Sequence, residues 1–514
     1  MKKGFRTVAA VIVAAVMLTS CFSSRKTDET ETDATKKTAK ATTEATDETS
    51  EVTDETTETT EETTAETTKE FEPIDESLPF NEKLEALDGV VRVDEVSNDT
   101  YIVWFNQPID WNDPSVGYFR QRVQVCNTES DVTNLNVSGY LLDDDFLSFG
   151  MQSYWQFTYM TNCVNAEFRF FGQSTPKGLD VNDPELWQYL TSYNAACDFH
   201  HITEQLKRVF PGKWLMSGGS KGGMTTMIQS MYFPSDMDLY IATVAPFSDG
   251  PQAADYYDNI YETIGNECYG EEKAAVYRET VLEFQVECIK HRDEMQDAFY
   301  QAGLDDGAVY TDFTTPEILF DLGVLEFATY TWQYYRDFDN IREVLDSKDS
   351  PDYVSDLLLL LLSRSIPLDW STTTPYYPYY IQAAMELGEH EYDFSFLRAA
   401  LEKDGSGAEL VITEDMEDML LYKVVFPEQI YDSITYDPSV RQSVMEWMNT
   451  TECDVILLYG GCDVWYSVRL PDVEDRDNFH TFVDQKSSHD EIAMLMDKEE
   501  QEKVFAIVEE VLGL

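Results

Sequence analysis

The chain has 514 residues, 43% of them hydrophobic, and a formal net charge of −61 from 97 acidic and 36 basic residues. That balance would repel a phosphate backbone and excludes nucleic-acid binding, while the apolar share suffices for a large buried core. The eight cysteines (Cys21, Cys126, Cys163, Cys197, Cys268, Cys288, Cys453 and Cys462) include no CxxC pair and no Cys/His zinc spacing, so no metal or cofactor is implied.

Residues 1–21 read as a processing signal. Lys2, Lys3 and Arg6 precede a short apolar run, Val8 to Leu18, and Leu18-Thr19-Ser20-Cys21 has the form of a lipobox. Cys21 is then expected to carry a diacylglycerol and to become the new N-terminus. The run is too short to span a bilayer, so the mature chain would be tethered by lipid at the extracellular face of a bacterial membrane. Residues 22–72 are nearly all Thr, Glu, Asp, Ser, Ala and Lys, a composition that cannot offset the entropy of ordering; a disordered stalk is expected.

Beyond Pro73 the pattern alternates as in an α/β protein. Strands are expected at Tyr101 to Phe105, Arg122 to Cys126, within Tyr159 to Phe171, at Trp214 to Met216 and at Leu239 to Pro246. Leu186 to Phe210 has helical spacing. Residues 251–429 carry helical periodicity and little strand signal, including Glu271 to Ala298 and Tyr353 to Ser363; the Leu357 to Leu362 run fits a buried helix. Alternation returns at Val455 to Tyr459 and ends in a helix, Lys503 to Leu512. The reading is one α/β core, 73–250 with 430–514, interrupted by a helical cap. Cys268 and Cys288 could bridge within that cap or remain free thiols.

Gly218-Gly219-Ser220-Lys221-Gly222 fits the G-x-S-x-G pattern, between an apolar strand and a helix, Met224 to Tyr232. Such an elbow needs tiny residues two before and two after the serine, because neighbouring backbone passes close to both. This points to an α/β-hydrolase core with Ser220 as nucleophile and the Lys221 N–H as an oxyanion donor. In that fold the acid and then the histidine follow the serine. Of six histidines, His200 and His201 precede Ser220, and His291 and His390 fall in the cap. His489, in Ser487-Ser488-His489-Asp490, is favoured over His480. Asp463, just past the apolar run Val455 to Tyr459, is the expected acid, with Asp472, Asp475 and Asp477 as looser alternatives read as surface aspartates.

Several segments together resemble one family. Gly218 to Thr225, Phe105-Asn106-Gln107-Pro108-Ile109-Asp110, Phe119-Arg120-Gln121-Arg122, Glu167 to Pro176, Leu190-Thr191 with Asp198, Gln382 to Gly388, and Tyr459-Gly460 with Asp463 and Trp465 are similar to the secreted bacterial prolyl tri- and tetrapeptidyl aminopeptidases. These are serine peptidases distantly similar to prolylcarboxypeptidase and dipeptidyl peptidase II. The resemblance spans most of residues 80–510 and implies the same Ser220, Asp463, His489 triad. Val464 departs from the family's pattern, which would have proline there.

Peptide substrates follow from the resemblance, and an aminopeptidase must hold an α-ammonium. Glu386 is the first candidate carboxylate and Glu167 the second. Trp465 and Tyr376, Tyr377, Tyr379 or Tyr380 are candidate apolar walls, and Gly139, in Ser138-Gly139-Tyr140, is the candidate second oxyanion donor. Rival readings are an esterase or lipase on the same fold and a surface-binding lipoprotein without turnover.

Overall fold

The computed structural model describes residue 71 and residues 73–514, except 145–146, 148–152, 179–182, 251, 366–375, 418–419, 475, 491–492 and 494. The signal segment with Cys21, nearly all of the expected stalk, and Asp475 lie outside the described residues.

Among the described residues eleven strands run in chain order: β1 (Val90–Ser97), β2 (Thr100–Pro108), β3 (Tyr118–Cys126), β4 (Val132–Val137), β5 (Asn162–Ala166), β6 (Lys213–Gly219), β7 (Leu239–Thr243), β8 (Gln252–Ala253), β9 (Glu389–His390), β10 (Val455–Gly460) and β11 (Phe479–Asp484). Nine of them make one sheet in the order β1-β2-β3-β5-β4-β6-β7-β10-β11. The pairs β1–β2, β2–β3 and β3–β5 are antiparallel, and every later pair across that sheet is parallel. The parallel half therefore ends all its strands along one edge, where α/β folds gather their chemistry.

Within this sheet, sequence periodicity found the strongly apolar strands and missed three others. β4 (VTNLNV) is central, yet half its residues are polar. Its amides are satisfied across the sheet, Asn136 donating to Asn165 at 2.8 Å and Asn165 donating on to Gln124 at 2.7 Å. Buried amides paired in this way cost little, but they erase the apolar run by which a buried strand is recognised. β1 and β11 are edge strands with mostly half-buried or exposed residues, so their hydrophobic signal is diluted.

Helices cover both faces. Expected single helices prove to be broken where a cap intervenes. Leu186 to Phe210 is Pro184–Trp187 and then Ser192–Leu206, with the Thr191 hydroxyl accepting from Asn194 N at the new N-terminus. Glu271 to Ala298 is Glu271–Lys290 and Arg292–Asp305, divided at His291. Phe168 to Phe171, expected in a strand, form a loop after β5. The run between β7 and β10 is a large, mainly helical cap, and among the described residues its only strands are β8 and β9, which pair with each other. Its helix Tyr353–Leu362 buries Leu357 and Leu361 as expected. Among the described residues no helix is long and apolar enough to cross a membrane.

Of the two readings open for Cys268 and Cys288, a bridge or free thiols, the structure has free thiols. Cys288 lies fully buried near the end of helix Glu271–Lys290, whereas Cys268 precedes that helix. The helical rise between them is roughly 25 Å, far beyond disulfide reach.

Candidate active site

The loops following β4, β6, β10 and β11 carry the candidate residues to the same edge of the sheet. After β6 the chain turns sharply at Ser220, whose φ of 54° and ψ of −123° are strained for a residue with a side chain. The Ser220 N–H donates to Thr243 O at 2.9 Å, anchoring the turn to β7. Added side chains show why the flanking residues are glycine. A Cβ on Gly218 would lie 2.4 Å from Gly222 O, one on Gly222 would lie 2.1 Å from Val137 O, and one on Gly223 would lie 2.7 Å from Thr243 O. The elbow is thus pressed between β4 and β7.

Asp463 follows β10 and is buried. Its Oδ1 accepts from Trp465 N at 3.1 Å and its Oδ2 from His489 Nδ1 at 2.8 Å. A carboxylate at Nδ1 keeps the proton there and leaves Nε2 as the basic nitrogen. His489 is brought in by a tight seam between the β10 and β11 loops. Cys462 N donates to Ser487 O at 2.8 Å and Gly461 N to Asp484 O at 2.8 Å. A Cβ on Gly460 would sit 2.2 Å from Ser488 O, so only glycine admits that approach. The Ser488 hydroxyl lies within 3.2 Å of the carbonyls of Trp332, Gln333 and Cys462, joining the seam to the cap. Strands β6 and β10 are separated only by β7, roughly 10 Å across two strand spacings. Among the described residues the Ser220 hydroxyl and His489 Nε2 make no hydrogen bond.

The other histidines are engaged elsewhere. His200 pairs with Asp236, His201 with Gln107 and His291 with Glu294. His480 lies on β11 with Nε2 at 3.2 Å from Asp477 O. Of the alternative acids, Asp472 is an exposed partner of Arg469.

Gly139, at φ +82°, packs directly on the elbow: a Cβ there would be 3.0 Å from Gly222 N and 2.9 Å from Lys221 Cγ. Gly139 thus abuts the residues that follow the serine, and among the described residues neither its N–H nor that of Lys221 serves another backbone acceptor. The Lys221 side chain is itself buried. Its Nζ sits 3.3 Å from the Phe168 ring centroid, within 5.7 Å of the Tyr140 and Phe171 rings, and has no hydrogen-bond partner among the described residues. Burial pushes this amine well below its ordinary range, opposed by the charge of Glu386.

The two candidate ammonium-binding carboxylates diverge. Glu167 is fully buried and fully used: Oε1 accepts from Arg122 at 2.6 Å and from Leu142 N at 2.9 Å, and Oε2 from Ser174 at 2.7 Å. Its assignment to substrate is corrected, because it fastens the loop after β5 to β3. Glu386, on the π-helical turn Ala383–Leu387, gives one oxygen to Ser192 N at 2.6 Å and keeps the other unbonded among the described residues. Burial raises its pKa, and the hydrogen bonds from Ser192 only partly offset that. Near it a small void, with room for about one water molecule, is lined by Phe168, Ser192, Met224, Thr225, Gln382 and Leu387 and borders the elbow helix, Lys221–Tyr232.

Trp465, two residues past Asp463, packs against Tyr256 at 5.0 Å and His390 at 5.2 Å. Tyr376 and Tyr379 stand edge-on to Tyr140, next to Gly139, whereas Tyr377 is core against Trp187 and Phe426. Sequence reasoning missed the buried group around His390, whose Nδ1 lies 3.0 Å from Glu389 and whose Nε2 lies 3.4 Å from Glu326. Tyr379 donates to Glu389 at 2.6 Å, and Tyr257 donates to Glu326. Only the adjacent pair Glu389-His390 hinted at it; Glu326 is remote in sequence.

A strained serine elbow at the edge of a parallel sheet, beside an acid–histidine pair delivered in that chain order, defines the α/β-hydrolase class of serine hydrolases. The model of the PS-10 peptidase S37 family matches residues 76–496, and the chain belongs to that family of serine peptidases. The prolyl tri/tetrapeptidyl aminopeptidase of Streptomyces mobaraensis is 25% identical over 394 residues, which cover 75% of this chain and 74% of that protein. The lysosomal Pro-X carboxypeptidase of Bos taurus is 35% identical over 88 residues, 16% of this chain and 18% of its own length. Among solved structures, an α/β hydrolase from Penicillium sp. sh18 overlays 81% of this chain and 99% of its own at 11% identity, with a TM-score of 0.32. So low a score adds nothing to what the strand order establishes.

Proposed function

We propose that this chain is a cell-surface serine exopeptidase that removes short peptides, proline-containing ones among them, from N-termini by acyl transfer. Ser220 attacks the scissile carbonyl, His489 takes the hydroxyl proton and returns it to the leaving amine, and Asp463 orients the imidazole. The Lys221 and Gly139 N–H groups hold the oxyanion. The single observation that carries this reading is the 2.8 Å bond between His489 Nδ1 and Asp463 Oδ2 at the same sheet edge as the strained Ser220. Glu386, with one oxygen unbonded beside the elbow, receives the substrate's α-ammonium, and Trp465, beside Asp463, with Tyr376 and Tyr379, beside Tyr140, supply aromatic surface to the substrate's side chains. The extended similarity to a protein named as a prolyl tri/tetrapeptidyl aminopeptidase supports attack from the N-terminal end.

A defined peptide set tests the assignment: N-terminal fragments of two to four residues are expected as first products. Release of single C-terminal residues, or turnover of acyl esters without any peptide cleavage, would overturn it. For location, we propose lipidation at Cys21. Metabolic labelling with an alkyne fatty acid should mark the wild-type chain and miss Cys21→Ala; equal labelling of both removes the anchor.

A further inference from the structure

Two thiols from distant parts of the chain meet beside the candidate active site. Cys268 lies on the short cap helix Asn266–Tyr269, and Cys462 lies between β10 and Asp463. Both touch the segment leading to His489. The Cys268 thiol donates to Lys486 O at 3.6 Å, while the Cys462 N–H donates to Ser487 O at 2.8 Å. Arg336 donates to the same Lys486 carbonyl at 2.9 Å, setting a fixed positive charge next to Cys268. Both are free cysteines, on segments that meet at two adjacent carbonyls, those of Lys486 and Ser487. That placement sets the two thiols to be joined as a disulfide.

We propose that Cys268 and Cys462 form a redox-sensitive pair that closes into a disulfide, tying the cap to the loops that carry Asp463 and His489. The two members differ in the way this chemistry requires. Cys268 is partly exposed and open to attack on an external disulfide; its interaction with Cys462, opposed by burial and helped by the Arg336 charge, lowers its thiol below the ordinary range. Cys462 is fully buried, and its interaction with Cys268, then burial, raise its thiol. Cys268 is thus the attacking sulfur and Cys462 the resolving one.

The oxidant is an external disulfide, RSSR. Cys268 thiolate attacks one of its sulfurs, breaking the S–S bond and expelling RS⁻. The Cys462 sulfur then attacks Cys268 in the mixed disulfide, a second RS⁻ leaves, and the two thiol protons pass to the departing thiolates. The chain loses two hydrogens and RSSR becomes two RSH. The tie spans nearly two hundred residues, so it removes much freedom from the unfolded chain and raises the folded state's melting temperature.

Incubation of the full chain with oxidised glutathione, alkylation of remaining thiols and non-reducing peptide mapping test the pair. Wild type is expected to yield a linked Cys268–Cys462 peptide and a Tm several degrees above that of the dithiothreitol-treated chain. Cys462→Ala should stop with one glutathione on Cys268, and Cys268→Ser should leave Cys462 alkylatable. Cys453→Ser should cross-link like wild type. The proposal fails if both thiols of the wild type stay alkylatable, if Cys268 stops at the glutathione adduct, or if it links to another cysteine.

Discussion

Asp463 divides its carboxylate between two partners, one oxygen capping the turn at Trp465 and the other on His489 Nδ1. The split fixes the carboxylate before it fixes the imidazole, so an amide at this position keeps the shape but presents a donor where an acceptor is needed. Asp463→Asn is therefore expected to lower kcat by about 10³- to 10⁴-fold on peptide substrates, with Ser220→Ala lower still and unlabelled by a fluorophosphonate probe. Retained turnover in either variant would remove the residue from the mechanism. Glu386 calls for a different readout. Loss of a charged partner for the substrate's ammonium affects binding: Glu386→Gln is expected to raise KM about 10- to 100-fold for peptides with a free N-terminus. Small activated esters, which carry no ammonium, should be hydrolysed as in wild type. Equal losses on both substrates would assign Glu386 to the helix end at Ser192 alone.

At the level of elements, the serine turn is a packing problem as much as a chemical one. The Cβ of an alanine at 222 would press on the backbone oxygen of Val137, which β4 cannot move without breaking its register with β6. Gly222→Ala should cost about 1–3 kcal/mol or fail to fold. The neighbouring Gly219→Ala, with nothing nearer than Thr243 O at 3.9 Å, should stay within about 0.5 kcal/mol of wild type by thermal melting. The glycines of the elbow were legible in sequence because the steric demand falls within five consecutive residues. Strand β4, which supplies Val137 and leads to Gly139, was not. Its polar residues are satisfied by strands 29 and 83 positions away along the chain, as in the Asn136–Asn165 and Asn134–Ser217 pairs, and a local window cannot register such partners.

Across the whole molecule, the cap meets the acid loop through a buried charge group. Tyr256 and Trp465 pack on the ring of His390, and Glu326 and Glu389 lie at its two nitrogens. Burial disfavours the imidazolium, but the hydrogen bonds and charges of Glu326 and Glu389 outweigh it and raise the pKa from 6.5 to about 9. A raised folded-state pKa gives stability that is complete below about pH 6.5 and lost as pH climbs through 9, on the order of 3 kcal/mol in all. Wild-type melting temperature is expected to fall across that window, and His390→Asn to start lower and fall less. Parallel curves would show that His390 does not link the cap to proton uptake.

What the amino-acid order alone determined was the kind of chemistry and its sequence of parts: a serine on a glycine-hemmed turn, an acid past a buried strand, a histidine near the chain end. Each of these is a local steric or topological demand, readable within a few residues or from order along the chain. Only the tertiary structure decided among residues of the same type. Glu167 and Glu386 are both acids in matching segments, but one is spent on Arg122 and the other keeps an oxygen unbonded. Cys268 meets the Lys486 carbonyl, three residues before His489, instead of Cys288, and His390 finds Glu326. Sheet closure and cap docking choose these partners across tens to hundreds of residues, and the energy of such a meeting leaves no trace in the pattern around either residue.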